Sequence, residues 1–380
     1  MSRRLKLPNV GTTIFTTMSR LATEKGAVNL GQGFPDFEPP AELLERVAHH
    51  LRARHNQYAP MAGVPALLEQ IGSKLARFHG ITVEPQAEVT VTAGGTEALF
   101  CAIQAVTHPG DEVVLLEPCF DSYAPAVELA GGRSVRVPLT PPGFCIDFDR
   151  LAAALTPRSR LLVVNTPHNP SGSLVTSEDW QRLSVLLERT DTLLLSDEVY
   201  EHLVYDGRRH ASALAIPALR ARAFVVFSFG KVFNATGWKV GYCVAPPELS
   251  EAFRRVHQFV TFSVSTPVQH GIADYLGLHP EFFAELAAFY QARRDRFVEL
   301  LQGSGFTARP SEGTYFQLAD YSALSEAPDV DFCLELIETH GVAAIPVSHF
   351  CEQPPDCRLL RFCFAKSDHT LELAAARLRP

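Results

Sequence analysis

The chain contains no uncharged apolar run of the roughly 20 residues that a membrane-spanning helix requires. It also has no basic stretch interleaved with aromatics, and its formal net charge is −8. Nucleic acid and anionic membrane surfaces are therefore poor partners. None of the eight cysteines (101, 119, 145, 243, 333, 351, 357 and 363) forms a CxxC pair, and neither HExxH nor another zinc spacing occurs. That pattern points to buried, reduced thiols and to no metal cofactor. The N-terminus, MSRRLKLPNVGTT, is basic but has no apolar segment before Pro8 and Gly11, so a secretory signal is not expected. There is no internal repeat, and the 27 prolines and 24 glycines are dispersed rather than gathered into a linker. What remains is a cytoplasmic enzyme of 380 residues, 46% hydrophobic, large enough for two packed units.

The middle of the sequence repeats one pattern: a short, continuously apolar run, a cluster of polar residues or glycines, then helical periodicity. The runs fall at 89–92, 113–116, 161–164, 193–195, 224–227 and 242–245. Continuous rather than alternating apolar character predicts strands covered on both faces, as in a mostly parallel sheet between helices. Helices are predicted at 96–106, 121–130 and 177–189. The last is announced by Thr176 as N-cap, with Glu178 and Asp179 in its first turn. From about residue 280 the pattern changes to a long helical stretch at 281–302, a helix near 330–340, and apolar runs at 342–346 and 359–364. This predicts a smaller α+β domain. The expected organisation is an N-terminal arm at 1–45 shared with the small domain, a large domain at 46–278, and a C-terminal domain at 279–380.

Each polar cluster follows its strand: Gly94-Gly95-Thr96, Glu117-Pro118-Cys119-Phe120, 165–169, 197–200 and 228–231. Ligands of open α/β sheets bind beyond the carboxyl ends of the strands, so five clusters at one edge predict a composite site. Lys231 follows a buried strand, with Phe229 and Phe233 close in sequence. Such a setting desolvates an ammonium and lowers its pKa, as a covalently reacting lysine requires. Ser228 and Lys239 add a hydroxyl and a second cation, a phosphate clamp in outline. Gly94-Gly95-Thr96 opens a helix whose free N–H groups suit an anion; it is not GxGxxG, which disfavours a dinucleotide. Asp197 ends a buried strand, where a carboxylate needs a cationic partner, and a protonated pyridine nitrogen is one. Asn169 and Tyr200 can donate to a phenolate oxygen, and Phe120 can stack on a ring face. Arg361, inside the apolar 359–364 run, has the fork geometry to anchor a carboxylate. The X-Pro bonds at Glu117–Pro118 and Asn169–Pro170 are expected to be cis, as tight turns at the site edge.

These residues, in this order, resemble the class I/II aminotransferases of the fold-type I pyridoxal-phosphate enzymes. The resemblance rests on NLGQGFPDF (29–37), NQYAPMAG (56–63), TAGGTEAL (92–99), NTPHNPSG (165–172), SDEVYEHLVYDG (196–207), SFGKVFNATGWKVGY (228–242), EGTYF (312–316) and LLRFCFAK (359–366). The subgroup of methionine aminotransferases and kynurenine and glutamine transaminases is most similar. Gly11-Thr12-Thr13-Ile14-Phe15 and Thr261-Phe262-Ser263-Val264 lean toward the methionine enzymes; kynurenine-type relatives often carry a histidine where this chain has Ser263. The resemblance implies an α/β fold-type I transferase with pyridoxal 5′-phosphate as cofactor. Lys231 then forms the covalent link to the cofactor and moves the α-proton. Asp197 pairs with the pyridine nitrogen, Phe120 stacks, and Asn169 and Tyr200 bond the phenolate oxygen. Gly95, Thr96, Ser228, Lys239 and, from a second subunit, Tyr58 hold the phosphate. Arg361, Asn169 and Gly33 hold the substrate carboxylate, while Phe15 and Phe262 line its side chain. It also implies a homodimer moving amino groups between neutral sulfur-containing or aromatic amino acids and 2-oxo acids. Two rival readings are a C–S β-lyase, which expels a thiolate from the same carbanion, and a cofactor-binding regulator. The regulator would carry an added basic DNA-binding segment, which the chain lacks.

Overall fold

The computed structural model describes residues 6–8, 10–354 and 357–379. Part of the basic N-terminal stretch therefore lies outside the described residues. Twelve strands are described: β1 (Val28–Asn29), β2 (Val89–Thr92), β3 (Glu112–Glu117), β4 (Arg133–Pro138), β5 (Ser159–Asn165), β6 (Leu193–Asp197), β7 (Ala223–Ser228), β8 (Gly241–Val244), β9 (Phe316–Asp320), β10 (Val342–Ala343), β11 (Ile345–Pro346) and β12 (Leu359–Cys363). Seven form one sheet in the order β2-β8-β7-β6-β5-β3-β4. Every pairing in it is parallel except those of β8, which runs antiparallel to β2 and β7. All residues of β2, β3, β7 and β8 are buried, as continuous apolar runs demand of strands covered on both faces.

Register fixes where the strand ends meet. Asn165 lies beside Asp197 across β5 and β6, Ser228 beside Gly241 across β7 and β8, and Thr92 beside Gly241 across β2 and β8. The polar clusters that follow β2, β3, β5, β6 and β7 thus share one edge. Helices at Gly94–Val106, Tyr123–Ala130 and Ser177–Leu187 follow β2, β3 and β5. The last carries the expected Thr176 cap, with Thr176 Oγ1 accepting from Asp179 N–H and the Asp179 carboxylate accepting in return.

A second, antiparallel sheet has the order β11-β12-β9, so the strand carrying Arg361 is its centre. The 342–346 run divides between two sheets: β11 joins this one, while β10 pairs in parallel with β1. The long Phe282–Leu300 helix forms as expected, and the helix near 330–340 is Asp329–Glu335 continuing into a wider turn at Leu336–His340. Among the described residues, four X-Pro bonds are cis: Glu117–Pro118, Pro141–Pro142, Thr166–Pro167 and Asn169–Pro170. No cysteine is in a disulfide, but the expectation that they are buried fails at Cys145, which is exposed, and at the half-buried Cys351 and Cys357.

Candidate active site

The strand ends border a cavity lined by Gly94, Gly95, Thr96, Phe120, Asn165, Asn169, Asp197, Tyr200, Ser228, Lys231, Thr236 and Lys239, among others. The Lys231 amine lies within it. Burial, and next the charge of Lys239, pulls its pKa from the ordinary lysine range down to about 8. The aromatic rings that face the amine are Tyr200 and Tyr315, each with its centroid 5.7 Å from Nζ. Phe229 and Phe233, expected to desolvate the lysine, stack instead on one another at 5.8 Å.

Asp197 is buried at the end of β6, and burial pushes its pKa up to about 6. Its carboxylate accepts a 2.5 Å hydrogen bond from the Tyr123 hydroxyl and a longer one, 3.4 Å, from Val199 N–H. Asn165 Nδ2 donates to the Asp197 carbonyl at 2.9 Å, while Asn165 Oδ1 accepts from Asn169 N–H at 2.7 Å. A side chain from β5 therefore ties together the two turns that carry Asp197 and Asn169. His168 joins a third: its Nε2 meets the Pro118 carbonyl at 2.8 Å and its Nδ1 meets Ser171 Oγ at 2.6 Å. Because burial drops its pKa to about 4, His168 is neutral, so Nε2 donates to Pro118 and Nδ1 accepts from Ser171.

At the opposite end, the first turn of Gly94–Val106 faces Ser228, Thr236 and Lys239. Gly94 has φ 78°, the left-handed region that favours glycine, and its backbone passes close to Lys239. First-turn amides, two hydroxyls and a lysine are a donor set that could hold a phosphate. A buried carboxylate, an acceptor for a protonated ring nitrogen, lies across the cavity beside an isolated amine. The residues present fit pyridoxal phosphate.

Arg361 is 1% exposed and stands over the Phe316 ring at 3.9 Å, with Phe15 and Phe350 at 5.2 and 5.1 Å. One guanidinium N–H donates to Asn169 Oδ1 at 2.8 Å and another to the Gly31 carbonyl at 2.9 Å. Its Nε is buried without an acceptor, leaving donor capacity for an anion. Gly33 is reached through Tyr315, whose hydroxyl donates to the Gly33 carbonyl at 2.7 Å. Tyr58 and Phe262 are absent from the cavity lining. They are 83% and 41% exposed and pack edge to face, centroids 5.4 Å apart. Tyr123, Tyr315, Asn165, His168 and Thr236 were not singled out from the sequence. Asn165, His168, Thr236 and Tyr315 lie inside motifs that were, while Tyr123 carries no local signal of a polar role.

Residues 25–378 match the model of the family "Aminotransferase class I and II". The methionine aminotransferase of Escherichia coli K12 is 51% identical over 98% of this chain and 97% of its own length. Kynurenine–oxoglutarate transaminase 1 of mouse is 35% identical over 100% of this chain and 98% of its own. Among solved structures, an E. coli protein with a methionine aminotransferase function superposes with a TM-score of 0.97 at 50% identity, covering 100% of this chain and 99% of that one. N-succinyldiaminopimelate aminotransferase of Mycobacterium tuberculosis gives 0.95 at 40%, covering 99% of each chain. The strand-end cavity around Lys231 thus sits in a fold-type I scaffold, and the chain belongs to the class I and II aminotransferases, enzymes that depend on pyridoxal phosphate.

Proposed function

We propose that this aminotransferase takes its amino group from neutral sulfur-containing or aromatic amino acids, methionine foremost, and passes it to a 2-oxo acid through Lys231. The observation that carries the reading is the desolvated Lys231 amine, whose pKa of about 8 leaves a useful neutral fraction near neutral pH, facing Asp197 across one cavity. When bound, pyridoxal phosphate supplies an electron sink for the pair left by breaking the substrate's Cα–H bond. Neutral Lys231 Nζ takes that proton and returns it. The Asp197 carboxylate, held by Tyr123, opposes positive charge at the ring nitrogen. Asn169, Tyr200, Phe120, Gly95, Thr96, Ser228 and Lys239 line the cavity; when the cofactor is bound, Asn169 and Tyr200 would donate to its phenolate oxygen, Phe120 would stack on its ring, and the other four would hold its phosphate. Arg361 serves both half-reactions, because amino acid and 2-oxo acid share the carboxylate it binds. Phe15 beside Arg361 keeps the entrance apolar, with Gly33 backing it through Tyr315.

Substrate choice is supported by what surrounds Arg361: aromatic rings, with no arginine or lysine in the segment 260–271. The names of the E. coli and mouse relatives point the same way. The working unit is a homodimer in which Tyr58 and Phe262 complete the partner's site, a reading supported by their exposure and absence from their own chain's cavity. We further assign residues 1–45 and 279–380 to a small domain and 46–278 to a large one, supported by the β1–β10 pairing, and place the enzyme in the cytoplasm, a setting that suits cysteines without disulfides. Initial rates with methionine and aspartate against several 2-oxo acids test the substrate reading. A kcat/KM for aspartate equal to or above that for methionine overturns it.

A further inference from the structure

No zinc-type spacing is visible along the chain, yet folding gathers three histidines at one surface point away from the Lys231 cavity. The helix Ala41–Arg52 carries His49 and His50 in its last turn, and the chain then reverses at Arg54, whose φ is 67°. The reversal is closed by His55 N–H donating to the His50 carbonyl at 3.1 Å, so His55 lies beside His50. The second helix, Thr266–Leu278, crosses close against the first at Gly271, where a Cβ would come within 2.5 Å of Val47 Cγ2. That approach brings His270 and, one turn later, Asp274 onto the His50 edge. The three imidazoles form a triangle, with centroids 4.9 Å apart for His50–His55, 4.9 Å for His50–His270 and 4.5 Å for His55–His270. One ring nitrogen from each falls within 4.8 Å of the others.

Two further details distinguish this group from a chance surface cluster. His50 Nδ1 and His55 Nδ1 lie 2.7 Å apart with one donating to the other, so two ring nitrogens already point at one spot. The other nitrogen of His50 is committed to Asp274 Oδ2 at 2.8 Å. A carboxylate on the far nitrogen is how metal-binding histidines are oriented and made better donors. A second cluster of metal-ligating types among the described residues, Glu97, Cys101 and His257, is more deeply buried, with His257 fully covered, whereas His55 is exposed and leaves an ion a way in.

We infer that His50, His55 and His270 form a binding site for a first-row divalent cation of the zinc class, with Asp274 orienting His50 and water completing the coordination. Imidazole ligands suit Zn²⁺, Co²⁺, Ni²⁺ and Cu²⁺ rather than Mg²⁺ or Ca²⁺. Zinc–nitrogen bonds of about 2.0–2.1 Å in tetrahedral array put ligand nitrogens about 3.3 Å apart. The His50–His55 pair must therefore open slightly while His270 closes in. His55 is exposed on the short connection after the first helix and can make that movement. An ion there ties together two helices and the segment that leads to Tyr58. That segment is already pinned where Thr266 Oγ1 donates to the Gln57 carbonyl at 2.5 Å. The site is independent of the reading of the Lys231 cavity, and its occupancy is measured without an activity assay.

The test uses tag-free holoenzyme, stripped of metal by chelator and dialysed. Titration with Co²⁺, followed by its visible ligand-field bands, and with Zn²⁺ by calorimetry should show saturable uptake of one ion per chain. The double variant His55→Ala/His270→Ala retains all eight cysteines and should lose that uptake. Asp274→Asn, which keeps the helix and the three rings, should weaken binding by about 10–100-fold, the usual effect of removing such a supporting carboxylate. Zn²⁺ should raise the melting temperature of the wild type and not that of the double variant, whose fold is checked by circular dichroism. Absence of saturable uptake by the wild type, or unchanged uptake by the folded double variant, overturns the site.

Discussion

Replacing Tyr123 by phenylalanine isolates one bond whose effect can be worked out in advance. The residue is fully buried, and the substitution removes only the hydroxyl that donates to Asp197 at 2.5 Å. Phenylalanine fills nearly the same volume, so packing changes little. A hydrogen bond to a charged group is worth about 1.5–3 kcal/mol, and one pKa unit corresponds to about 1.4 kcal/mol. Losing the bond should therefore raise the Asp197 pKa by about one to two units. It starts at about 6 in the cofactor-free protein, because burial already outweighs the Tyr123 and Val199 bonds that lower it. A carboxylate that is harder to ionise opposes the ring nitrogen's charge less well. Cofactor affinity should fall by about 10–100-fold, the same 1.5–3 kcal/mol expressed as binding, which sets an upper range. The acidic limb of kcat/KM should move to higher pH, since Asp197 must lose its proton to act and now holds it more tightly. The assay is cofactor dissociation of the variant followed by absorbance, with kcat/KM measured across pH. Wild-type cofactor affinity together with an unmoved acidic limb would refute the assignment of Tyr123 as the support of Asp197.

Two further outcomes follow from the geometry. In the cofactor-free protein, reaction of Lys231 with a small amine-selective reagent should rise with pH through a midpoint near 8, because the deprotonated amine is the nucleophile and burial lowers its pKa; a midpoint in the ordinary lysine range contradicts the desolvated setting. For the shared site, Lys231→Ala and Tyr58→Ala homodimers should each be poorly active, while isolated heterodimers recover activity toward half the wild-type value per dimer, since one of their two sites retains both residues; heterodimers as inactive as their parents rule out the exchange of Tyr58.

The sheet was readable because parallel strands covered on both faces leave continuous apolar runs, and six of its seven strands stand out in that way. β4 does not: its sequence RSVRVP alternates, and it lies at the sheet edge with Arg133 exposed, so its pattern is that of a half-solvated strand. The 342–346 run is apolar throughout because both sheets that share it are buried, and nothing local marks the division. At the site, the residues legible in advance are those whose type is costly where it stands: a lysine and an aspartate at buried strand ends, and an arginine within an apolar strand. Tyr123 was not legible, since a buried tyrosine in an apolar pattern looks like core and only the fold reveals what its hydroxyl meets. The histidine triad is the extreme case. Its members come from positions 50, 55 and 270 and meet only because two helices cross at Gly271.

The central claim is that Lys231 carries the cofactor, and chemical trapping tests it most directly. Holoenzyme reduced with borohydride should lose its visible absorbance, and peptide mapping should recover the reduced cofactor on the segment SFGKVFNATGWK at Lys231, with the Lys231→Ala variant giving no adduct. Recovery of the adduct on Lys239 or any other lysine, with Lys231 unmodified, contradicts the account.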